Sequence, residues 1–199
     1  MPKLGDNFNN VQESTIGDGF KRMVPGVYMC RIQAVHTEWA TLGGRQKAED
    51  RECVQVLVDV DEGEFAGEYS RDFYVGKDWA HALYMSWKPT AQGILKHSFH
   101  ALDEANPGFD SQAAFEADQW MQFIGRRVLV GWNGAERTND RGYVNVNVRP
   151  SKMVCAGDAF KPMVELERGG EVKWEDYARA EERDVQRAQA AYPSDDIPF

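Results

Sequence analysis

The sequence predicts a mainly β protein: five strands forming a small barrel, a helical insertion between the third and fourth, and a flexible acidic C-terminal tail. Three observations carry this expectation. Apolar and polar residues alternate in several short, valine-rich runs, the period of strands with one buried face. Between residues 79 and 124 the period changes to three and four, the spacing of a helical face. Beyond residue 164 the composition turns charged and poor in large apolar side chains, so that stretch suits a spacer better than a core.

Residues 1–24 are polar, with isolated Phe8, Val11, Ile16 and Phe20, and read as an extended arm ending in the turn Pro25-Gly26. Val27 to Trp39 is a long strand, with Tyr28, Cys30, Ile32 and Ala34 on one face and Met29, Arg31, Gln33, Thr37 and Trp39 on the other. Ala40 to Arg51 reads as a loop built on Gly43-Gly44. Glu52 to Val60 is the second strand, with Val54, Val56, Val58 and Val60 inward and Gln55 and Asp59 outward. After the turn Asp61-Glu62-Gly63, Tyr69 to Val75 forms a third strand with aromatic residues on both sides.

Trp79, Leu83 and Trp87, then Ile94, Leu95, Phe99 and Leu102 beyond Pro89, follow helical spacing. Asn106-Pro107-Gly108 ends that segment, and Ser111 caps a second helix carrying Phe115, Trp120, Phe123 and Ile124. Strand period returns at Arg126 to Trp132. A glycine-bounded loop, 133–142, leads to Tyr143–Arg149, where Val144, Val146 and Val148 oppose Tyr143, Asn145, Asn147 and Arg149. Three strands, helices, then two strands is the order of a five-stranded OB barrel, whose closure leaves short strands without exposed edges. A small β-sandwich with inserted helices fits the same string. The resulting division is an arm (1–24), an OB-fold domain (25–164), a charged helical spacer (165–191) and a tail (192–199).

With 199 residues and 42% hydrophobic content the chain can build a proper core. It contains no apolar run long enough for a membrane helix, and its start lacks the regions of a signal peptide, so a cytoplasmic location is expected. Cys30, Cys53 and Cys155 are odd in number and widely spaced, which points to reduced, largely buried thiols. The net charge of −9 argues at first against a polyanionic partner. Its distribution weakens the objection: ten acidic residues against five basic follow residue 164, leaving 22 against 18 before it. A nearly balanced body has room for a basic groove.

OB barrels hold single strands on the face of their early strands, between the loop after strand one and the loop joining strands four and five. The first loop here carries Arg45, Lys47 and Arg51 with Trp39 at its mouth; the second carries Arg137 and Arg141 with Tyr143 at its exit. Each pairs phosphate-binding charge with a ring on which a base can stack, a contact of about 1–3 kcal/mol per base. Arg31, Gln33, Asn145, Asn147, Arg149 and Lys152 would line the floor, and Arg71, Phe73 and Tyr74 of the third strand are further candidate contacts. Glu49, Asp50, Glu136 and Asp140 offset some of this charge, and polar loops with a few arginines are ordinary.

Catalytic patterns are missing. The chain has no phosphate-binding Gly-x-x-x-x-Gly-Lys-Ser/Thr loop, no dinucleotide fingerprint and no Gly-x-Ser-x-Gly elbow, so neither enzymatic activity nor a cofactor is expected. His97 and His100 lie three apart in a helical stretch, but the sequence completes no metal site around them, and satisfied polar histidines are the expectation. Asp59, Asp61, Glu62, Glu64, Glu68 and Asp72 cluster as a two-metal nuclease would require, yet turn and solvated strand positions explain them more simply.

The ending, Asp195-Asp196-Ile197-Pro198-Phe199, places two carboxylates, a terminal ring and its α-carboxylate on one mobile chain end. An apolar cup rimmed by Lys or Arg would recognise all of them together. These five residues resemble the terminus of bacterial single-stranded-DNA-binding proteins, in which the tail docks replication and repair enzymes. The segments Asp6–Val11, Pro25–Tyr28 and Val56–Gly67 are similar to phage-encoded single-stranded-DNA-binding proteins, a diffuse likeness over residues 6–150. The resemblance implies an OB fold and a non-catalytic role in DNA replication, recombination or repair. Its partners would be single-stranded DNA and, through the tail, replication or recombination proteins of host or phage. A charged spacer replaces the glycine- and glutamine-rich linker of the bacterial proteins, so their tetrameric wrapping is not carried over, and a homodimer stays open. The rival expectation is an interaction protein with no DNA role, which uses a copied tail to occupy the host's docking pockets.

Overall fold

The computed structural model describes residues 22–71, 74–140, 142 and 144–191, with side chains through Arg183. The strands are β1 (Gly26–His36), β2 (Glu38–Thr41), β3 (Gly44–Lys47), β4 (Cys53–Val60), β5 (Ala82–Ser86), β6 (Arg127–Thr138), β7 (Val144–Val154), β8 (Met163–Glu165) and β9 (Glu171–Lys173). The helices are α1 (Ala48–Arg51), α2 (Gln92–Ala105), α3 (Ser111–Glu116) and α4 (Trp174–Ala191). No described helix is long and apolar enough to cross a membrane.

Seven strands form one mixed sheet in the order β5-β4-β1-β6-β8-β9, with β7 on the other edge of β6. β1 runs antiparallel to both β4 and β6, and β6 and β7 form the longest hairpin. The sheet is not closed into a barrel. Among the described residues β5 and β7 touch without pairing, and α2 packs against β5, β6 and β7. Mainly β is therefore the fold class; the closed five-strand barrel is not what the chain builds.

Two local expectations are corrected. Tyr69–Val75 is not the third strand. Gly67 takes a left-handed conformation (φ 71°) and Glu68–Ser70 makes a 3₁₀ turn. The buried Asp59 carboxylate fixes that turn, accepting hydrogen bonds from Tyr69 N–H (2.9 Å) and the Ser70 hydroxyl (2.5 Å). The third strand is instead β5, drawn from the stretch with apparent helical spacing. Trp79, Leu83 and Trp87 are four apart, and four is also a multiple of two, so the same residues satisfy strand period; pairing with β4 decides between them. Within the rest of that region α2 and α3 form, and the cap of α3 is Asp110, one residue before Ser111, accepting from Ala113 N–H at 2.9 Å.

The expected loop at 40–51 is largely a hairpin, β2–β3, followed by α1. β6 continues to Thr138 rather than ending at Trp132, which shortens the following loop. β4 is buried along its whole length, so Gln55 and Asp59 point inward rather than to solvent. β4 is a central strand between β1 and β5, and the returning 61–80 segment covers Asp59, which is satisfied as above; Gln55 donates its amide N–H to the Tyr84 hydroxyl (3.4 Å) while its buried Oε1 has no hydrogen-bond partner among the described residues.

At the centre Tyr69 stacks on Trp132 (5.1 Å, 13° between planes) and on His81 (5.2 Å, 11°), and donates its hydroxyl to Val148 O at 3.2 Å. Burial drives the phenol's pKa upward. Cys30 and Cys53 are free buried thiols and Cys155 is half-buried; burial pushes the Cys30 thiol up to about 12.

Candidate nucleic-acid interface

The main cleft lies between β7 and the segment Glu68–Ala80 and encloses about 580 Å³, within the range of about 300–1,000 Å³ typical of ligand sites. Two local structures build it. β7 contributes the consecutive residues Asn145 to Arg149 to one wall. The 3₁₀ turn that Asp59 secures, and another at Asp78–Ala80, bring Arg71, Tyr74, Lys77 and Trp79 to the other. Arg22 closes one end, its guanidinium donating to Asn145 Oδ1.

Trp79 is 57% exposed, and the Arg149 guanidinium carbon lies 5.1 Å from its ring centroid, a cation–π contact. Tyr74 is half-buried with its ring 4.6 Å from Tyr69. Among the described residues the lining thus carries four cations, Arg22, Arg71, Lys77 and Arg149, against one carboxylate, Glu68. Glu68 is itself buried and ion-paired with Arg71 at 3.0 Å; burial raises its carboxyl pKa and the Arg71 guanidinium opposes that rise. A net positive, partly aromatic groove therefore sits on a chain of net charge −9. Such a groove can neutralise phosphates and present a flat ring to an unstacked base.

Of the residues singled out by sequence, Arg71, Tyr74 and Arg149 converge here, together with Asn145 and Asn147. The others are placed elsewhere. Trp39 is 6% exposed and packs beside Tyr84 (5.9 Å): alternation in β2 turns Glu38 and Ala40 outward and the ring into the core, so it offers no face for stacking. Arg45 pairs with Glu38 at 3.1 Å, while Lys47 stands at the N-cap of α1 and Arg51 ends it, both on the surface.

Arg31 opposes Arg127 across β1 and β6, and both grip Asp61, at 2.7 and 2.6 Å; Arg127 also holds Glu62 at 2.6 Å. The Arg31 hydrogen bond, helped by the charges of Arg31 and Arg127, holds the Asp61 carboxyl below the usual range. These groups form a structural ion network, not a groove floor. Arg137 turns to Glu136 O (2.6 Å) and toward Glu165 (3.9 Å), and Lys152 lies over the Phe160 ring (5.6 Å). Arg141, Tyr143, Asp72, Phe73 and the tail Asp195–Phe199 lie outside the described residues.

Sequence reasoning missed Arg22, Lys77 and Trp79. Trp79 was absorbed into a helical stripe, although Gly76, Lys77 and Asp78 just before it form a turn-like string. Four of the six carboxylates weighed for metal-dependent cleavage have structural partners: Asp59 with Tyr69 and Ser70, Asp61 and Glu62 with arginines, Glu68 with Arg71. Comparison with known proteins finds no family model that matches the chain and no curated protein of significant sequence similarity.

Proposed function

We propose that this chain is a non-catalytic single-stranded-DNA-binding protein of replication or recombination, and that its acidic end recruits partner enzymes. The observation that carries the reading is the cleft between β7 and Glu68–Ala80, whose described lining holds Arg22, Arg71, Lys77 and Arg149 together with the exposed Trp79 ring, Arg149 lying over that ring. Cations lining a groove contact a phosphate backbone, and an exposed ring stacks bases of any sequence. The strand path supports it: β5-β4-β1-β6-β7, with α2 and α3 between the third and fourth strands in chain order, is the path of a partly open OB barrel lacking its last pairing. In this reading the Asp195–Phe199 end binds proteins rather than DNA, with Phe199 in an apolar pocket and the carboxylates on its basic rim.

The test is a titration with oligo-dT followed by tryptophan fluorescence, with duplex DNA and oligo-rU as competitors. Quenching is expected, with log affinity falling against log salt by about 0.7 per phosphate neutralised, and duplex should compete poorly. A chain that leaves oligo-dT untouched at every ionic strength overturns the DNA reading and favours an interaction protein that works through the tail alone.

A further inference from the structure

Away from the cleft, the fold assembles a mixed set of nitrogen, sulfur and oxygen donors that the sequence keeps apart. His97 and His100 stand one turn apart on α2 and Glu104 stands a turn further on; Cys155 and Asp158 belong to the turn that follows β7. Gly157 takes φ 90°, a left-handed conformation that lets this turn reverse tightly. The reversal brings the Asp158 carboxylate back to accept from Cys155 N–H at 2.7 Å and to meet His97 Nε2 at 3.0 Å. Glu104 Oε2 accepts from Ala156 N–H at 3.0 Å and anchors the turn to the helix.

The donor atoms of His97, Cys155 and Asp158 lie within 4.8 Å of one another, as do those of His100, Glu104 and Cys155. Cys155 is common to both groups. Bonds of about 2.0–2.3 Å in a tetrahedral zinc site imply donor separations of roughly 3.3–3.8 Å, so modest side-chain rotations close each group, and the shared Cys155 sulfur links the two. Imidazole, thiolate and carboxylate together select a borderline-soft divalent ion over Mg²⁺ or Ca²⁺. The site lies roughly 20 Å along β7 from Arg149, at about 3.3 Å per residue.

We propose that His97, His100, Cys155 and Asp158 bind one thiophilic divalent cation, Zn²⁺ by the chemistry of the set, and that the ion ties α2 to the end of β7. Glu104, whose Oε2 accepts from Ala156 N–H, holds the turn beside the ion. The ion's role is structural, and it is independent of whether the cleft binds DNA.

The experiment adds Co²⁺ to full-length, chelator-treated protein and reads the absorption spectrum. One Co²⁺ per chain is expected, with the ligand-field bands of a four-coordinate site and a thiolate-to-metal charge-transfer band; Zn²⁺ should displace it and raise Tm. Cys155→Ser should remove the charge-transfer band while far-UV circular dichroism stays unchanged. His100→Gln, at an exposed position, should weaken Co²⁺ binding at least about tenfold, the scale seen even for residues that only support a ligand. Absence of the charge-transfer band in the unaltered protein overturns the proposal. So does a spectrum that Cys155→Ser leaves intact, and unchanged affinity in His100→Gln refutes the four-ligand assignment.

Discussion

Two tryptophans forty residues apart show how much a single side chain's surroundings decide. Trp39 was the better candidate by sequence, standing beside a cationic loop, yet it is in the core; Trp79 matched an apolar stripe, yet it is exposed in the cleft. Their substitutions should therefore separate. Trp79→Ala should weaken oligo-dT binding by about 1–3 kcal/mol per base stacked, roughly 5- to 150-fold, with no change in the urea midpoint. Trp39→Ala should cost about 3–5 kcal/mol of stability and leave the affinity of the folded fraction intact; equilibrium urea unfolding and fluorescence titration read the two effects. The Asp61 network makes a second prediction. Because the folded-state carboxyl ionises below its ordinary range, the stability it contributes is present above the ordinary carboxylate pKa. It is lost as pH falls through the lower folded value. Asp61→Asn should flatten that part of the acid-unfolding curve, and an unaltered acid limb in the variant would contradict the assignment.

At the level of elements, β6 is the strand on which the sheet depends, because it carries β1 and β8 along one edge and β7 along the other. Its two glycines make this geometry fit. A Cβ at Gly131 would lie 2.5 Å from the Phe160 ring, and one at Gly134 would lie 2.5 Å from Val146 Cγ1 and 3.1 Å from the Pro25 ring. Gly134→Ala should therefore destabilise by about 1–3 kcal/mol through overpacking, measurable as a lowered urea midpoint. It should also reduce oligo-dT affinity, since Val146 lies on the cleft wall between Asn145 and Asn147. Alternation alone makes β1, β4 and β7 legible as strands, and helical spacing does the same for α2. It could not separate β5 from a helix, because residues four apart fit both periods. Nor could it expose the turn at Glu68–Ser70, whose cause is the Asp59 carboxylate, nine to eleven positions back in the chain.

On the scale of the whole molecule, the negative charge concentrated after residue 164 and the positive cleft invite competition. An acidic chain end can occupy the groove until a nucleic acid displaces it, and the effect should strengthen at low salt, where screening is weak. Deleting residues 192–199 should tighten oligo-dT binding at low ionic strength, leave it nearly unchanged at high, and abolish binding of partner enzymes. Equal affinities of the truncated and full chains at low salt would refute the competition without touching the cleft assignment.

By itself the sequence determined the mainly β class, the alternation of its principal strands and the charge asymmetry along the chain, and it named five of the side chains that meet in the cleft, Arg71, Tyr74, Asn145, Asn147 and Arg149. Those are local or compositional properties: the period of a run states which residues share a face, and a count states where charge accumulates. The tertiary structure alone decided which cations converge, that Arg31 is bound by Asp61 while Arg22 and Lys77 join the groove, and that Cys155 meets the histidines of α2. Convergence of that kind depends on contacts between residues distant in the chain. A face that a sequence marks as polar can become wall, network or core according to what the rest of the fold lays upon it.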